Sequence, residues 1–162
     1  DDREIDALAR QKNTGVIAAG NFSLTAAIAK HCALLSAKYL PSREIVDYAH
    51  AEKPDAPSGT GRELAERLKE ISANHIAFPI AKTIGAKEAR GASVADMQVH
   101  SIRLPGYTFG FDVRFGLPGE RLTISHDAGE SAEPYVAGTL LAAKKVMHVT
   151  GLVRGLDTIL FG

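Results

Sequence analysis

The chain has 162 residues, and its 19 basic and 19 acidic side chains leave a formal net charge of zero at pH 7. No basic stripe indicates nucleic acid as a partner, no long block of like charges indicates disorder, and the apolar runs are too short to cross a membrane. The single cysteine excludes an intrachain disulfide. We therefore expect a globular, cytoplasmic protein.

The first predicted elements are a helix, a strand and a second helix. Apolar residues recur at helical spacing over residues 2–12, and the run GVIAAG at 15–20 predicts a short, buried, parallel strand. Ser23 is the predicted N-cap of a helix over 24–39. The residues that we expect on the buried side of this helix are Leu24, Ala27, Ile28, Cys32, Leu34 and Leu35.

A strand, a loop and a third helix follow. REIVDYAH at 43–50 predicts a strand, because apolar and β-branched residues alternate along it. Thr60 and Glu63 have the spacing of a capping box, so we expect the next helix to begin at Thr60. Residues 74–96 show little periodicity and predict an irregular connection.

Three strands are predicted over 97–104, 107–116 and 119–126, because a Pro-Gly pair lies between each neighbouring two. We expect them to form an antiparallel meander. Phe109 and Phe111, set against Tyr107 and Val113, lead us to expect apolar residues on both faces of this sheet. An exposed apolar face would favour an oligomer.

A last helix is predicted over 131–147, and the tail after it predicts a short strand or coil. The residues expected on the inward side of this helix are Tyr135, Val136, Leu140, Ala143 and Met147. The elements together predict an α+β fold, with an open mixed sheet of four or five strands and helices on one face.

The loop after the second strand carries the most informative chemistry. His50 can exchange a proton near neutral pH, and Lys53 supplies a cation three residues later. Pro54 and Pro57 stiffen the backbone between them and the helix. Residues 58–60, Ser-Gly-Thr, present N–H groups at a helix start, where an anion binds favourably. The loop thus indicates a small carboxylate substrate, with a solvated loop and helix cap as the alternative.

The string DYAHAEKPDAPSGT, residues 47–60, resembles the signature of the 4-hydroxy-tetrahydrodipicolinate reductase (dihydrodipicolinate reductase) family. GVIAAGNFS near the start is similar to the segment that joins the two domains of that family. VHSIRLPG and FGLPGERLTISHDA resemble its substrate-domain strands. The resemblance covers nearly the whole chain but only the second half of the family's architecture.

This resemblance implies an NAD(P)H-dependent reduction of a cyclic dicarboxylate in lysine and diaminopimelate biosynthesis. Residues 1–21 would be the last helix and strand of an N-terminal Rossmann domain that binds most of the NADH or NADPH. Residues 22–162 would be the substrate-binding and oligomerisation domain, which assembles into a homotetramer through its sheet. No G-x-G-x-x-G segment occurs in the chain, so we expect it to be part of a longer protein and inactive alone.

The resemblance also implies roles for particular residues. Lys53 is the expected proton donor, and His50 is expected to contact the substrate and to take part in catalysis. The N–H groups of Gly59 and Thr60 are expected to hold a substrate carboxylate. The turn expected to touch the nicotinamide end of the cofactor comprises Ala19, Gly20, Asn21 and Phe22. No metal site is expected.

Ala49 departs from the family pattern, which has a histidine at this position. Two other functions therefore stay open: an oxidoreductase for a different small dicarboxylate or imine, and a catalytically inactive assembly domain. Arg103, on a predicted strand, could pair with a substrate carboxylate or form a structural ion pair. His126, at a predicted strand end, is expected to have a structural role.

Overall fold

The structure, a computed structural model, describes all residues from 1 to 162. The chain forms two compact units, and each is described by itself. One unit comprises residues 1–28 and 131–162, and the other comprises residues 29–130. No helix in the chain combines the length and the apolar character that a membrane span requires.

The first unit is built around a two-stranded parallel sheet. Its elements are α1 (Asp2–Gln11), β1 (Gly15–Ala18), the start of α2 (Leu24–Ala37) and, at the end of the chain, α4 (Glu133–Lys145), β7 (Gly151–Arg154) and α5 (Leu156–Phe161). β1 pairs with β7, which confirms the predicted parallel strand, although all its residues are partly exposed. The carboxylate of Asp6 on α1 accepts a hydrogen bond of 2.7 Å from the N–H of Leu152 on β7.

The second unit is built around a five-stranded sheet. After the rest of α2 its elements are β2 (Ser42–Ala49), α3 (Gly59–Ile71), β3 (Ala92–Val94), β4 (Met97–Arg103), β5 (Phe109–Leu117) and β6 (Glu120–Ala128). The strand order is β3-β4-β2-β5-β6. The central strand β2 is parallel to β4 and antiparallel to β5, so the predicted α+β fold with a mixed, open sheet is confirmed.

The predicted antiparallel meander is wrong in one respect. β5 and β6 form an antiparallel hairpin, but β4 is separated from β5 by β2. The chain runs from β2 through α3 to the parallel strand β4, and a parallel neighbour requires such a crossover. The alternation of residues along a strand identifies its faces but not its neighbours. β3, which has only three residues, lies within the connection predicted to be irregular.

Helices cover one face of this sheet. Along β2 the side chains of Arg43, Ile45, Asp47 and Ala49 are buried, and their neighbours in sequence are partly exposed. α3 contacts β2 and β4. The register of β2 with β5 aligns Asp47 with Phe111, so the aromatic residues of β5 extend the same buried layer.

The apolar residues of β5 do not divide between the two faces of the sheet as expected. Phe109 and Val113 have the same parity along β5 and lie on one face, since side chains alternate with a period of two. The opposite face is open and mixed. Its polar members are paired: Glu44 on β2 with Arg90 and with His100 on β4, and Asp112 on β5 with Tyr48, Arg114 and Ser125.

The buried sides of the helices agree with the prediction only in part: Ala27 and Leu34 on α2 are buried as predicted. On α2, Ile28 and Leu35 are about half exposed and Cys32 is exposed, whereas small residues such as Ala33 are buried. On α4 the predicted inward residues Val136 and Leu140 are exposed, as is Met147 in the turn after it, and the buried residues of α4 are Gly138 and Ala142. A Cβ on Gly138 would lie 1.8 Å from the carbonyl oxygen of Phe22. Close backbone approach therefore selects small residues, and the size of the side chain decides which side is buried.

His126 on β6 is part of the buried layer. Its imidazole is stacked on Phe111 with ring centroids 5.5 Å apart, and only 6% of the residue is exposed. Burial lowers the pKa of this imidazole, and the charge of Asp127 opposes that effect only in part. The predicted structural role thus agrees with its position, because a buried neutral histidine packs as an aromatic side chain.

The lowered pKa of His126 makes stability depend on pH. In the unfolded chain a histidine binds a proton near pH 6.5, and the folded state binds it only at a lower pH. The contribution of His126 to the free energy of unfolding should therefore be fully present above about pH 6.5 and should be lost as the pH falls below that value. Denaturant titrations at several pH values measure the slope of the free energy of unfolding against pH.

His126→Phe should reduce the pH dependence, because it keeps an aromatic ring against Phe111 and removes the titrating group. His148→Gln is the matched control, since His148 is exposed and its removal should leave the slope unchanged. An equal slope in the wild type and in His126→Phe would contradict this assignment.

Candidate functional site

The loop of residues 50–58 joins the end of β2 to the start of α3. His50 is exposed directly after β2, and the N–H of Lys53 donates to its carbonyl oxygen at 3.1 Å. This turn brings the backbones of His50 and Lys53 together at one end of the loop. The Lys53 ammonium lies 2.6 Å from the carboxylate of Asp55, and the hydrogen bond from Lys53 lowers the pKa of Asp55.

Ser58, and not Thr60, caps the helix. The hydroxyl of Ser58 accepts a hydrogen bond of 3.1 Å from the N–H of Gly61, and α3 begins at Gly59. The predicted capping box is therefore wrong by two residues. Glu63, its second member, instead forms a buried ion pair of 2.8 Å with Lys30 on α2. Since a serine or a threonine can cap a helix, the sequence contained two candidates and only the backbone conformation distinguishes them.

The first turn of α3 has the properties of an anion site. The first N–H groups of a helix have no acceptors within that helix, and the positive end of its dipole lies there. Gly59 and Thr60 are its first two residues. Gly59 is exposed, and no atom lies within 4 Å of the position that a Cβ would occupy. A carboxylate can thus approach the backbone at this point.

A buried ion pair supports the loop from the sheet. The carboxylate of Asp47 on β2 is fully buried and lies 2.8 Å from the guanidinium of Arg103 on β4. The sequence left two roles open for Arg103, and in the structure this residue forms the structural ion pair. The part that Asp47 plays was missed in the sequence, although a signal was present: an acidic residue at an inward position of an otherwise buried strand face.

Ala49 lies at the end of β2, directly before the loop. Its side chain is fully buried, and its carbonyl oxygen accepts from the N–H of Leu104 at 3.3 Å. It is paired in register with Arg103 on one side and Phe109 on the other. A methyl group thus occupies the buried position at which the sequence resemblance led us to expect a histidine, and it offers no proton donor or acceptor.

The second group of predicted site residues lies in the other compact unit. Residues 19–22 form a turn after the carboxyl end of β1. Asn21 accepts a hydrogen bond of 2.7 Å from the N–H of Ser23, and Ser23 in turn caps α2 through the N–H of Ala26 at 3.3 Å, as predicted. Ala19 and Phe22 pack against a core formed by Ala27, Ala142 and Leu156.

Comparison with known proteins places the chain in a family. The family model described as "Dihydrodipicolinate reductase, C-terminus" matches residues 21–160. The 4-hydroxy-tetrahydrodipicolinate reductase of Dehalococcoides mccartyi (strain BAV1) is 40% identical over 157 residues, which are 97% of this chain and 59% of that protein. The enzyme of the same name from Bacillus pumilus is 37% identical over 159 residues, 98% of this chain and 59% of that protein.

A solved structure agrees with these relatives. It is described as dipicolinate-bound dihydrodipicolinate reductase from Paenisporosarcina sp. TG-14, and its TM-score with this chain is 0.81 at 32% identity. The match covers 97% of this chain and 59% of that one.

The fold and the loop define an α+β domain with a candidate anion site at a helix start. The chain belongs to the dihydrodipicolinate reductase family and corresponds to its C-terminal part. It spans about 59% of the length of the relatives described above.

Proposed function

We propose that this chain is the substrate-binding part of an NAD(P)H-dependent reductase that converts dihydrodipicolinate to tetrahydrodipicolinate in lysine and diaminopimelate biosynthesis. The observation that carries this proposal is the loop of residues 50–58, which places a histidine and a lysine before the open helix start at Gly59. Membership of the reductase family supports it. A related protein has been solved with dipicolinate, a dicarboxylate, bound.

In this proposal each part of the loop has one task. The N–H groups of Gly59 and Thr60 hold a substrate carboxylate, and His50 contacts the substrate. Reduction of a double bond by hydride also needs a proton, which the ammonium of Lys53 supplies. Asp55 accepts a hydrogen bond from that ammonium, so it orients Lys53 before substrate binds. Ala49 leaves Lys53 and His50 as the proton-transfer groups of this loop.

We assign the nicotinamide end of the cofactor to Ala19, Gly20, Asn21 and Phe22. Bound there, NADH or NADPH supplies the hydride. The turn fits such a ligand in two respects: it follows the carboxyl end of a parallel strand, where α/β proteins bind ligands, and two of its side chains are small. The hydrogen bond from Ser23 to Asn21 holds the turn in one conformation.

We propose further that residues 1–21 belong to a nucleotide-binding domain and residues 22–162 to the substrate-binding and oligomerisation domain. The family match begins at residue 21, which supports that boundary. The pairing of β1 with β7 means that the end of the chain returns to the sheet of the first segment. We place the protein in the cytoplasm, where an exposed free thiol such as that of Cys32 remains reduced.

Loss of the proton donor should slow turnover. In the protein expressed from its complete coding sequence, Lys53→Ala should lower kcat for dihydrodipicolinate by about 10²- to 10⁴-fold, the usual contribution of a general acid. His50→Ala should lower kcat/KM. The oxidation of NADH or NADPH, followed by absorbance, measures both effects.

Lys69→Ala is the matched control for this test. Lys69 also forms an ion pair with an aspartate, Asp96, at 2.9 Å, but it lies on α3 outside the loop. Its removal should leave kcat within twofold of the wild type. Turnover of Lys53→Ala and His50→Ala at the wild-type rate would refute the assigned roles, and a wild type without turnover would favour a different substrate or an inactive domain.

A methyl group at the helix start should weaken substrate binding. Gly59→Ala adds a Cβ in open space, so the fold should tolerate it, but the methyl group keeps a carboxylate away from the N–H groups. A hydrogen bond to a charged group contributes about 1.5–3 kcal/mol, so the dissociation constant for dipicolinate should rise about tenfold or more. Isothermal titration calorimetry measures this constant.

Gly129→Ala provides the control, because a Cβ at Gly129 also meets no atom within 4 Å. Its affinity for dipicolinate should equal that of the wild type. If Gly59→Ala binds dipicolinate as tightly as Gly129→Ala does, the carboxylate does not bind at this helix start.

We propose that the open face of the sheet forms the interface of a homotetramer. Alongside its polar pairs this face carries partly exposed Val46, Tyr48 and Ile102, and Tyr48 stacks on Tyr107 with centroids 5.1 Å apart. Apolar side chains among satisfied polar pairs are typical of protein interfaces.

Sedimentation velocity tests this assembly. The wild type should sediment as a tetramer, and Val46→Arg should dissociate it, because an unpaired charge in an interface is costly. Glu66→Arg, on the exposed side of α3, should remain tetrameric. A monomeric wild type, or a tetrameric Val46→Arg, would contradict an interface on this face.

A further inference from the structure

The carboxylate of Asp47 is bonded to the end of the loop at Ser58 and to the neighbouring strand β4. It is fully buried and accepts four hydrogen bonds. Ser58 gives two of them, from its N–H at 2.9 Å and from its hydroxyl at 2.5 Å. Arg103 gives the third at 2.8 Å, and Ser101 gives the fourth at 3.2 Å. A buried charge is tolerated only with such a complete set of partners, so each partner is held in place in turn.

The bonds to Ser58 determine how α3 begins. A hydroxyl has a single hydrogen to donate, and an ionised carboxylate can only accept. Because Asp47 takes the hydrogen of the Ser58 hydroxyl, the lone pairs of that oxygen remain for the N–H of Gly61. The same carboxylate is close to the first turn, since a Cβ on Gly61 would lie 3.3 Å from its Oδ1. Asp47 thus sets the position of the helix start and the direction of its cap.

Arg103 connects Asp47 to the middle of the loop, at Asp55. Its Nη2 group donates both to the carboxylate of Asp47 and, at 2.7 Å, to the carbonyl oxygen of Asp55. The side chain of Asp55 in turn holds the ammonium of Lys53 at 2.6 Å. A continuous path of hydrogen bonds therefore runs from Asp47 through Arg103 and Asp55 to Lys53.

We infer that Asp47 is a positioning residue, which acts through Ser58 and Arg103 to fix the helix start and Lys53 relative to each other. This inference rests on the proposed function of the loop as a carboxylate site. Asp47 touches no substrate in this scheme. It makes the two ends of the loop one rigid unit, so that an anion and a proton donor are presented together.

A positioning role and a purely electrostatic role make opposite predictions for Asp47→Asn. The substitution removes a negative charge close to the first turn of α3 and leaves the positive charge of Arg103 without a counterion. If only charge mattered, a dicarboxylate would bind more tightly. If position matters, the loosened loop should bind it more weakly. The sign of the change in affinity therefore distinguishes the two.

The test uses the protein expressed from its complete coding sequence and dipicolinate as the probe. Asp47→Asn should raise the dissociation constant for dipicolinate about tenfold, raise KM for dihydrodipicolinate and lower kcat, while KM for the nicotinamide nucleotide stays within twofold. Hydrogen exchange, measured by mass spectrometry, should become faster at the amides of residues 50–61 than in the wild type.

Asp112→Asn is the matched control. Asp112 is also a buried aspartate, and it accepts hydrogen bonds from an arginine, a serine and a tyrosine, but it lies on the open face of the sheet and holds no loop. It should leave hydrogen exchange at residues 50–61 unchanged. If Asp47→Asn does not fold, Ser58→Ala breaks the same link from the side of the loop. It should likewise weaken dipicolinate binding and speed hydrogen exchange at residues 50–61.

The outcomes separate the inference from the proposed function. A wild type that binds no dipicolinate overturns the proposed function, and the exchange experiment still tests the link between Asp47 and the loop. Tighter binding by Asp47→Asn, or unchanged exchange at residues 50–61 in both Asp47→Asn and Ser58→Ala, overturns the positioning role.

Discussion

The buried pair of Asp47 and Arg103 is the interaction on which the second unit depends. It joins β2 to β4 at 2.8 Å inside the layer between the sheet and the helices. Removing one member of such a pair leaves an uncompensated buried charge, which costs about 3–5 kcal/mol of stability. Each further bond to the carboxylate therefore constrains its donor, and the donors lie on the elements that flank the loop. The stability of the sheet and the geometry of the site thus share one set of contacts.

The central position of β2 in the sheet determines where the loop lies. Because β2 is central, with a parallel neighbour on one side and an antiparallel neighbour on the other, its carboxyl end is enclosed by β4 and β5. The loop leaves β2 at that point and enters α3, whose first turn then lies above Asp47. A site at the carboxyl end of a central strand receives support from both neighbours, which a strand at the edge of the sheet cannot provide.

Several features of the chain could be predicted from its pattern of residues alone. The helix at residues 2–11, the strand at 42–49 and the cap at Ser23 have local causes, namely periodicity and a side chain that can bond a nearby N–H. The loop residues His50 and Lys53 also stand out in the sequence, because they lie three positions apart shortly before a helix start. The buried side of α4, and the exposure of Ile28 and Leu35 on α2, could not be found in this way, because close packing selects alanine and glycine at positions such as Ala33, Gly138 and Ala142.

The sequence by itself determined the fold class, the family and the position of the candidate site, since propensity, spacing and turn residues act over a few positions. Only the tertiary structure decided that β4 lies beside β2, that Ser58 caps α3, and that Arg103 pairs with Asp47. These three facts depend on contacts between residues 11 to 56 positions apart in the chain. No local pattern encodes such contacts, because the pairing of β2 with β4 and of Asp47 with Arg103 needs the crossover through α3, and the cap at Ser58 needs the loop to bring Ser58 back to Asp47.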